Sequence, residues 1–189
     1  MSKLIIHDAM SVNGAFEAPT PDAWLELDND SGDAGLEQFV LADAIVLGRK
    51  TYEGLAAVWP HLGADPALGR YAERINTMPK YVASRTLAGP LEWNATLIEG
   101  DLGQAIPKLK AEHRGNLIVS GCGELAHTLT RQGLVDEFWF WVHPHIWAEG
   151  PRIFDGVGPV RLRLVASTVY RSGVVWLRYR PAAGVDDRS

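Results

Sequence analysis

The chain has 189 residues, 47% of them hydrophobic and 22% charged, which are the proportions of a globular protein with one buried core. A formal net charge of -5 with both signs interspersed argues against general binding to nucleic acid or to an anionic membrane, so any phosphate recognition has to be local. The single cysteine, Cys122, excludes an internal disulfide and a cysteine-held zinc, and no apolar run approaches membrane-spanning length.

The chain opens on a strand over residues 3–12, whose apolar start, Leu4-Ile5-Ile6, is too short for the core of a signal peptide; a cytoplasmic location is the expectation. A long, turn-rich stretch, 13–33, carries Trp24, Leu25 and Leu27 and has the character of a functional loop or lid. Over 34–43, Leu36, Phe39 and Val40 keep helical spacing. The apolar run 44–47 is a strand, a helix follows over 50–58, and Trp59-Pro60 ends it. Next come a short helix over 67–76, a strand over 80–84, a brief strand over 96–98, and a helix over 102–112 that contains Pro107 as an irregularity. A strand over 116–120 passes through Gly121-Cys122-Gly123 into a helix over 124–131. This alternation implies a largely parallel sheet covered on both faces. The last third has three strands, 137–143, 160–169 and 174–180, with no helix between them, and Ser172-Gly173 is the turn of a terminal hairpin. One mixed α/β domain over 1–181 is expected, with 182–189 a disordered tail.

Three strand ends carry residues suited to phosphate. Gly48 lets the backbone approach a ligand, and Arg49, Lys50 and Thr51 stand where the next helix starts, with its free N–H groups and the positive end of its dipole. Ser84-Arg85-Thr86 ends another strand with a guanidinium between two hydroxyls, a partner for a phosphate monoester or else a solvated loop. Gly121, Cys122, Gly123, Glu124 and Leu125, followed by Ala126, match the G-x-G-x-x-A form of the dinucleotide fingerprint. A simple Rossmann unit would place that fingerprint in the first βαβ and an acid about 20 residues on, and neither condition holds here. Together the three turns suit a nucleotide with one pyrophosphate and one further monophosphate, which favours NADP(H) over NAD(H).

Five motifs in order carry a family resemblance. Met10-Ser11-Val12-Asn13-Gly14 is similar to Ser-Leu-Asp-Gly at the end of a first strand, Leu47-Gly48-Arg49-Lys50-Thr51-Tyr52-Glu53 to a Gly-Arg-x-Thr-Tyr/Trp-Glu turn, and Ser84-Arg85-Thr86 to a 2′-phosphate site. Gly133-Leu134-Val135-Asp136-Glu137, followed by a strand and Pro144, and then Gly150-Pro151-Arg152-Ile153-Phe154, form a late signature. From residue 3 to about 180 the chain thus resembles the dihydrofolate reductase-like superfamily, in particular the reductase domain of bifunctional riboflavin biosynthesis deaminase-reductases.

That resemblance implies a three-layer sandwich around a mixed, mostly parallel sheet with antiparallel C-terminal strands. It also implies NADPH as cofactor and hydride transfer to a C=N or C=O bond of a small pterin-, folate- or ribosylaminopyrimidine-like heterocycle. It would place Ala9 and Gly14 beside the nicotinamide, Gly48, Arg49, Lys50 and Thr51 at the phosphates, Ser84, Arg85 and Thr86 at the 2′-phosphate, and Gly121, Cys122, Gly123, Glu124 and Leu125 at the pyrophosphate. The sequence departs from the pattern at Gly121-Cys122, where folate enzymes have Gly-Gly, and at 145–150, where the riboflavin branch has a Gly-rich turn. Asp33 and Glu37 are the nearest candidates for the proton-assisting acid, although acids at a helix start are ordinarily capping residues.

Two further segments bear on partners. His143-Pro144-His145 offers two metal ligands with no third in sight, so no metal is expected. The run 138–142 places aromatic residues on both faces of one strand, which leads to the expectation of a homodimer. The rival to the enzyme is a binding protein that keeps the nucleotide fold and does not turn over.

Overall fold

The computed structural model describes residues 2–17, 29–66 and 68–182, without the side chains of 29–33. Its centre is an eight-stranded sheet in the order β4-β3-β2-β5-β1-β6-β8-β7. The strands are β1 (Leu4–Ser11), β2 (Ala44–Gly48), β3 (Lys80–Ala83), β4 (Ala95–Leu97), β5 (Leu117–Ser120), β6 (Glu137–His143), β7 (Leu162–Val169) and β8 (Val175–Pro181). Pairing is parallel from β4 through β6 and antiparallel at β6–β8 and β8–β7. The helices are α1 (Asn29–Val40), α2 (Arg49–Val58), α3 (Gly69–Thr77), α4 (Leu102–Glu112) and α5 (Glu124–Arg131). The fold is therefore the three-layer α/β sandwich that the resemblance implies, with the antiparallel strands at the C-terminal edge.

Alternation along the strands divides the core in two. Leu4, Ile6, Val46, Val119, Phe138 and Phe140 face α4 and α5, which contribute Ile106, Leu109, Ala126 and Leu129. Ile45, Leu47, Ile118 and Val82 face the other way, onto Phe39 of α1, Tyr52 of α2, and Tyr71 and Ile75 of α3. β2, β5 and the start of β1 are buried on both faces, and for that reason they read as unbroken apolar runs. Each fully buried aliphatic side chain contributes roughly 1.5–3 kcal/mol.

Several boundaries differ from the residue pattern. Helix α1 starts at Asn29 rather than 34 and ends at Val40. Its Gly35 lies against the Trp141 ring, where an added Cβ would stand at the ordinary contact distance of 3.5 Å. The chain continues past Val58 as a 3-10 turn, Trp59–Ala64, with Pro60 near its start. Helix α4 runs through Pro107, held on either side by buried Ile106 and Leu109. The expected helix over 67–76 begins at Gly69, Ala67 itself lying outside the described residues. Trp24, Leu25, Leu27 and the tail from 183 onward also lie outside them.

The aromatic strand β6 finds cover on both faces within one chain. Phe138 and Phe140 meet Phe154 edge to face. On the opposite face Trp139 meets Trp176 and the Arg178 guanidinium, and Trp141 stacks on Trp176 and lies against His7. This strand needs no second copy to bury its rings.

Candidate functional site

The carboxyl ends of β2, β3 and β5 open into one cleft of about 750 Å³. Its walls include Gly48, Arg49, Lys50 and Thr51 after β2, Ser84, Arg85 and Thr86 after β3, and Gly121, Cys122, Gly123, Glu124 and Leu125 after β5. Three turns separated by some 70 residues of chain thus converge, as strand ends of an open parallel sheet do.

Two helix N-termini face this space without a side-chain cap: α2 behind Gly48 and α5 behind Gly123. Their first N–H groups and the positive dipole ends form a place for anionic oxygen. By contrast α4, which also borders the cleft, is capped by Asp101, whose side chain accepts from the Gly103 N–H at 2.8 Å. The glycine requirement is strongest at Gly121. Its φ of +92° is left-handed, and a Cβ there would stand 2.8 Å from the Thr51 hydroxyl oxygen, so β5 and α2 approach this closely only because the side chain is absent. At Gly123 a Cβ would meet nothing within 4 Å, leaving the backbone open to a ligand.

The cations around the cleft are little used inside the protein. Arg49 makes a 3.9 Å pairing with Glu53 on its own helix, and Lys50 and Arg85 are exposed, with no ion pair among the described residues. Ser84 fixes the turn: its hydroxyl oxygen accepts from the Thr86 and Leu87 N–H groups at 3.1 and 3.0 Å and lies 3.4 Å from the Thr86 hydroxyl, on either side of the exposed Arg85.

Not every residue expected at the site reaches it. Ala9 lies within β1 and Gly14 in the loop after it, and neither lines the cleft. Gly14, with φ +81°, is part of a local clasp instead. Ser11 Oγ donates to Asn13 Oδ1, the Asn13 amide donates to the Trp147 carbonyl at 2.7 Å, and Ile153 N–H donates to Gly14 O at 2.9 Å. The first and last motifs are therefore stitched to each other. Glu37 is exposed on α1 and is not among the residues that line the cleft, and the side chain of Asp33 lies outside the described residues. His7, beneath α1, accepts from Trp141 Nε1 at 3.1 Å, and burial pushes its imidazole down to about 4, so it is neutral and structural.

Residue pattern alone misses part of the wall. Phe16, Glu17, Ile98, Gly100, Asp101, Thr128 and Gln132 also border the cleft. Asp101 had a signal, a capping acid before a helical period; Thr128 and Gln132 sit on and just after α5 and are recognisable only once that helix is placed. Asp8 was missed as well. Its carboxyl accepts the Ala9 N–H at 2.8 Å, and burial pushes it up to about 6. Among the described residues no three His, Cys, Asp or Glu side chains gather as a metal site.

Comparison with known proteins follows the same lines. The family model of the RibD C-terminal domain matches residues 2–176. The chain is 27% identical over 180 residues to the uncharacterized protein YyaP of Bacillus subtilis (strain 168), covering 94% of each. Among solved structures it superposes on a protein of riboflavin-biosynthesis type from Shewanella sp. PV-4 with a TM-score of 0.74 at 21% identity, over 96% of this chain and 99% of that one. It also superposes on the diaminohydroxyphosphoribosylaminopyrimidine deaminase/5-amino-6-(5-phosphoribosylamino)uracil reductase of Thermotoga maritima, with a TM-score of 0.67 at 15% identity, over 96% of this chain and 57% of that one.

Proposed function

The chain belongs to the family of the RibD C-terminal domain, and from that premise we propose that it is a cytoplasmic NADPH-dependent reductase of a small heterocycle. The observation that carries this reading is the convergence of two uncapped helix N-termini and the Ser84-Arg85-Thr86 turn on one cleft. The residues present fit the cofactor. Gly121 and Gly123 keep the backbone free of side chains, the starts of α2 and α5 supply N–H donors for a pyrophosphate, and Arg85 with Ser84 and Thr86 supplies a fork and hydroxyls for a 2′-phosphate. When bound, NADPH provides the hydride.

The work left to the protein is to bind and orient. Thr51 and Gly121, in contact, set the spacing between the two helix starts, and the Ser84 turn holds Arg85 at a third corner. Three separated anchors fix a long dinucleotide in one direction, which is how position alone lowers a barrier. The substrate we propose is a pterin-, folate- or ribosylaminopyrimidine-like ring reduced at C=N or C=O. The Thermotoga maritima protein joins a deaminase and a reductase by name, and this chain corresponds to about half of it.

The test is fluorescence titration with NADPH, followed by loss of nicotinamide absorbance with a panel of pterins and aminopyrimidines. Saturable quenching with oxidation by at least one ring supports the reductase. Saturable quenching with no oxidation across the panel supports the second reading, a ligand-binding protein without turnover, which is favoured by the absence of Glu37 from the described lining of the cleft.

A further inference from the structure

The cleft crosses four neighbouring strand ends in the order β3-β2-β5-β1. Arg85 marks its β3 end, Lys50 and Gly123 stand at the helix starts after β2 and β5, and Phe16 with Glu17 forms the wall in the segment that follows β1. This order gives a bound dinucleotide a direction. With the 2′-phosphate at Arg85 and the pyrophosphate at the starts of α2 and α5, the adenosine half lies toward β3 and the other half runs past β5 toward β1. The distance from β3 to β1 is three strand steps, roughly 14 Å, which an extended dinucleotide spans.

The wall at the β1 end is fixed by the late part of the chain. Ala15 is wholly buried and pairs with Arg152 in an antiparallel bridge, and the Phe16 N–H donates to the Pro151 carbonyl at 3.4 Å. Phe16 packs against the core, and Gly150, in left-handed backbone with φ +97°, lies against the Glu17 carbonyl. These contacts place the Glu17 backbone and leave its carboxylate out of use: the side chain is exposed and has no ion pair among the described residues. The other two acids that border the cleft are engaged, Asp101 as the cap of α4 and Glu124 at 3.6 Å from Arg131. Uncommitted charge is therefore split along the cleft, with cations at the β2 and β3 ends and a carboxylate at the β1 end.

We propose that Glu17 is the electrostatic partner of the nicotinamide ring, stabilising the positive charge that the ring gains as hydride leaves and so favouring the oxidised cofactor over the reduced one. The inference rests on the nucleotide reading given above. When the C4–H bond of the dihydronicotinamide breaks, its electron pair goes with the hydrogen to the carbon of the substrate C=N or C=O bond. The cofactor is oxidised to a pyridinium cation, and the reduced substrate takes a proton from water. A carboxylate already in place at the ring end lowers the energy of that cation without reorganising, and it complements the cations that face the phosphates. At a separation of about 7 Å across a water-filled cleft, the attraction of two unit charges is worth about threefold in a binding constant, and salt screens it.

Calorimetric titration of the full chain with NADP⁺ and with NADPH, at low and at high salt, measures the preference for the oxidised form as a ratio of dissociation constants. Both forms carry the same phosphates, so any repulsion between Glu17 and the phosphates cancels in that ratio. At low salt Glu17→Gln should lower the preference for NADP⁺ about threefold, Glu17→Lys should lower it about tenfold, and Glu17→Asp should stay close to the wild type. High salt should shrink these differences, and the melting temperatures should stay put because the side chain is exposed. The same ratio in wild type, Glu17→Gln and Glu17→Lys, or a loss in Glu17→Asp as large as in Glu17→Gln, overturns the proposal for Glu17 and leaves the nucleotide reading standing. Failure of the wild type to bind either form overturns the nucleotide reading and this inference with it.

Discussion

At the amino edge of the parallel strands charge is met from within the chain. Glu137 collects Lys3 at 2.6 Å, Arg178 at 2.7 Å and the Trp139 indole N–H at 2.9 Å. Asp136 takes Lys110 and the Leu4 N–H, and Asp43 takes the N–H groups of Gly115 and Arg114. Even Lys80, wholly buried at the start of β3, donates to the Asn76 carbonyl and sits 4.1 Å from the Trp93 ring centroid. At the carboxyl edge of the same strands two helices start uncapped, Arg49 has a loose partner, and Lys50 and Arg85 have none among the described residues. One edge is closed by its own side chains, and at the other the helix starts and the cations stand open. Substitutions at the first edge should change stability and spare nucleotide binding, and substitutions at the second should do the reverse.

The largest effect is expected at Glu137. Burial alone would push its carboxyl up, but the hydrogen bonds from Arg178, Lys3 and Trp139 outweigh it and hold the group at about 2. Glu137→Ala leaves Arg178 without its partner and should cost about 2–4 kcal/mol in chemical denaturation, with the NADPH dissociation constant unchanged. Because the native carboxyl titrates below its unfolded value, the contribution is whole above about pH 4.5 and is lost as pH falls toward 2. A wild type whose stability is flat across that window would remove Glu137 from the closed edge.

Arg85→Ala tests the open edge. NADPH binding should weaken by roughly 1.5–3 kcal/mol, NADH binding should barely change, and the melting temperature should stay put. Equal weakening for both nucleotides would take the 2′-phosphate away from this turn. Gly121→Ala, the exception at this edge, should weaken both nucleotides together and should also cost about 1–2 kcal/mol or more of stability, since it forces a side chain into left-handed backbone and against Thr51. That common loss distinguishes a shared pyrophosphate anchor from the selective one at Arg85.

The smallest effect belongs to Lys80, whose ammonium is pushed down to about 8, by burial first and by Arg74 second. A base with a lowered native value weakens the fold at pH below 8, and that penalty fades as pH rises from 8 to 10.5. Lys80→Met should accordingly be as stable as the wild type at pH 7 or better by up to about 1 kcal/mol, with the advantage shrinking at alkaline pH. A clear loss of stability in Lys80→Met at pH 7 would mean that the Asn76 and Trp93 contacts outweigh desolvation.

How much of this was legible in the chain follows from which contacts are local. Strands β2 and β6 and helices α4 and α5 fall close to where period and turn residues put them, since apolar runs, the Asp101 cap and the Gly121-Cys122-Gly123 punctuation act within a few residues. The three basic or glycine-rich turns were legible because a parallel sheet brings strand ends together by construction. The start of α1 was not legible, because its first turns from Asn29 to Gly35 carry no apolar residue but Ala34 to mark a helical period. Nor was the cover of the Trp139 and Trp141 face, which depends on antiparallel register with β8. The resemblance set Ala9 and Gly14 beside the nicotinamide; the clasp that Gly14 makes with the segment around Ile153 joins residues too far apart in the chain to be read locally.

The most direct measurement is a crystal structure of the full chain with NADPH. The account predicts the pyrophosphate at the N–H groups that begin α2 and α5, and the 2′-phosphate between Arg85 and the hydroxyls of Ser84 and Thr86. A dinucleotide bound elsewhere, or lying in this cleft with its phosphates turned away from both helix starts, would contradict it.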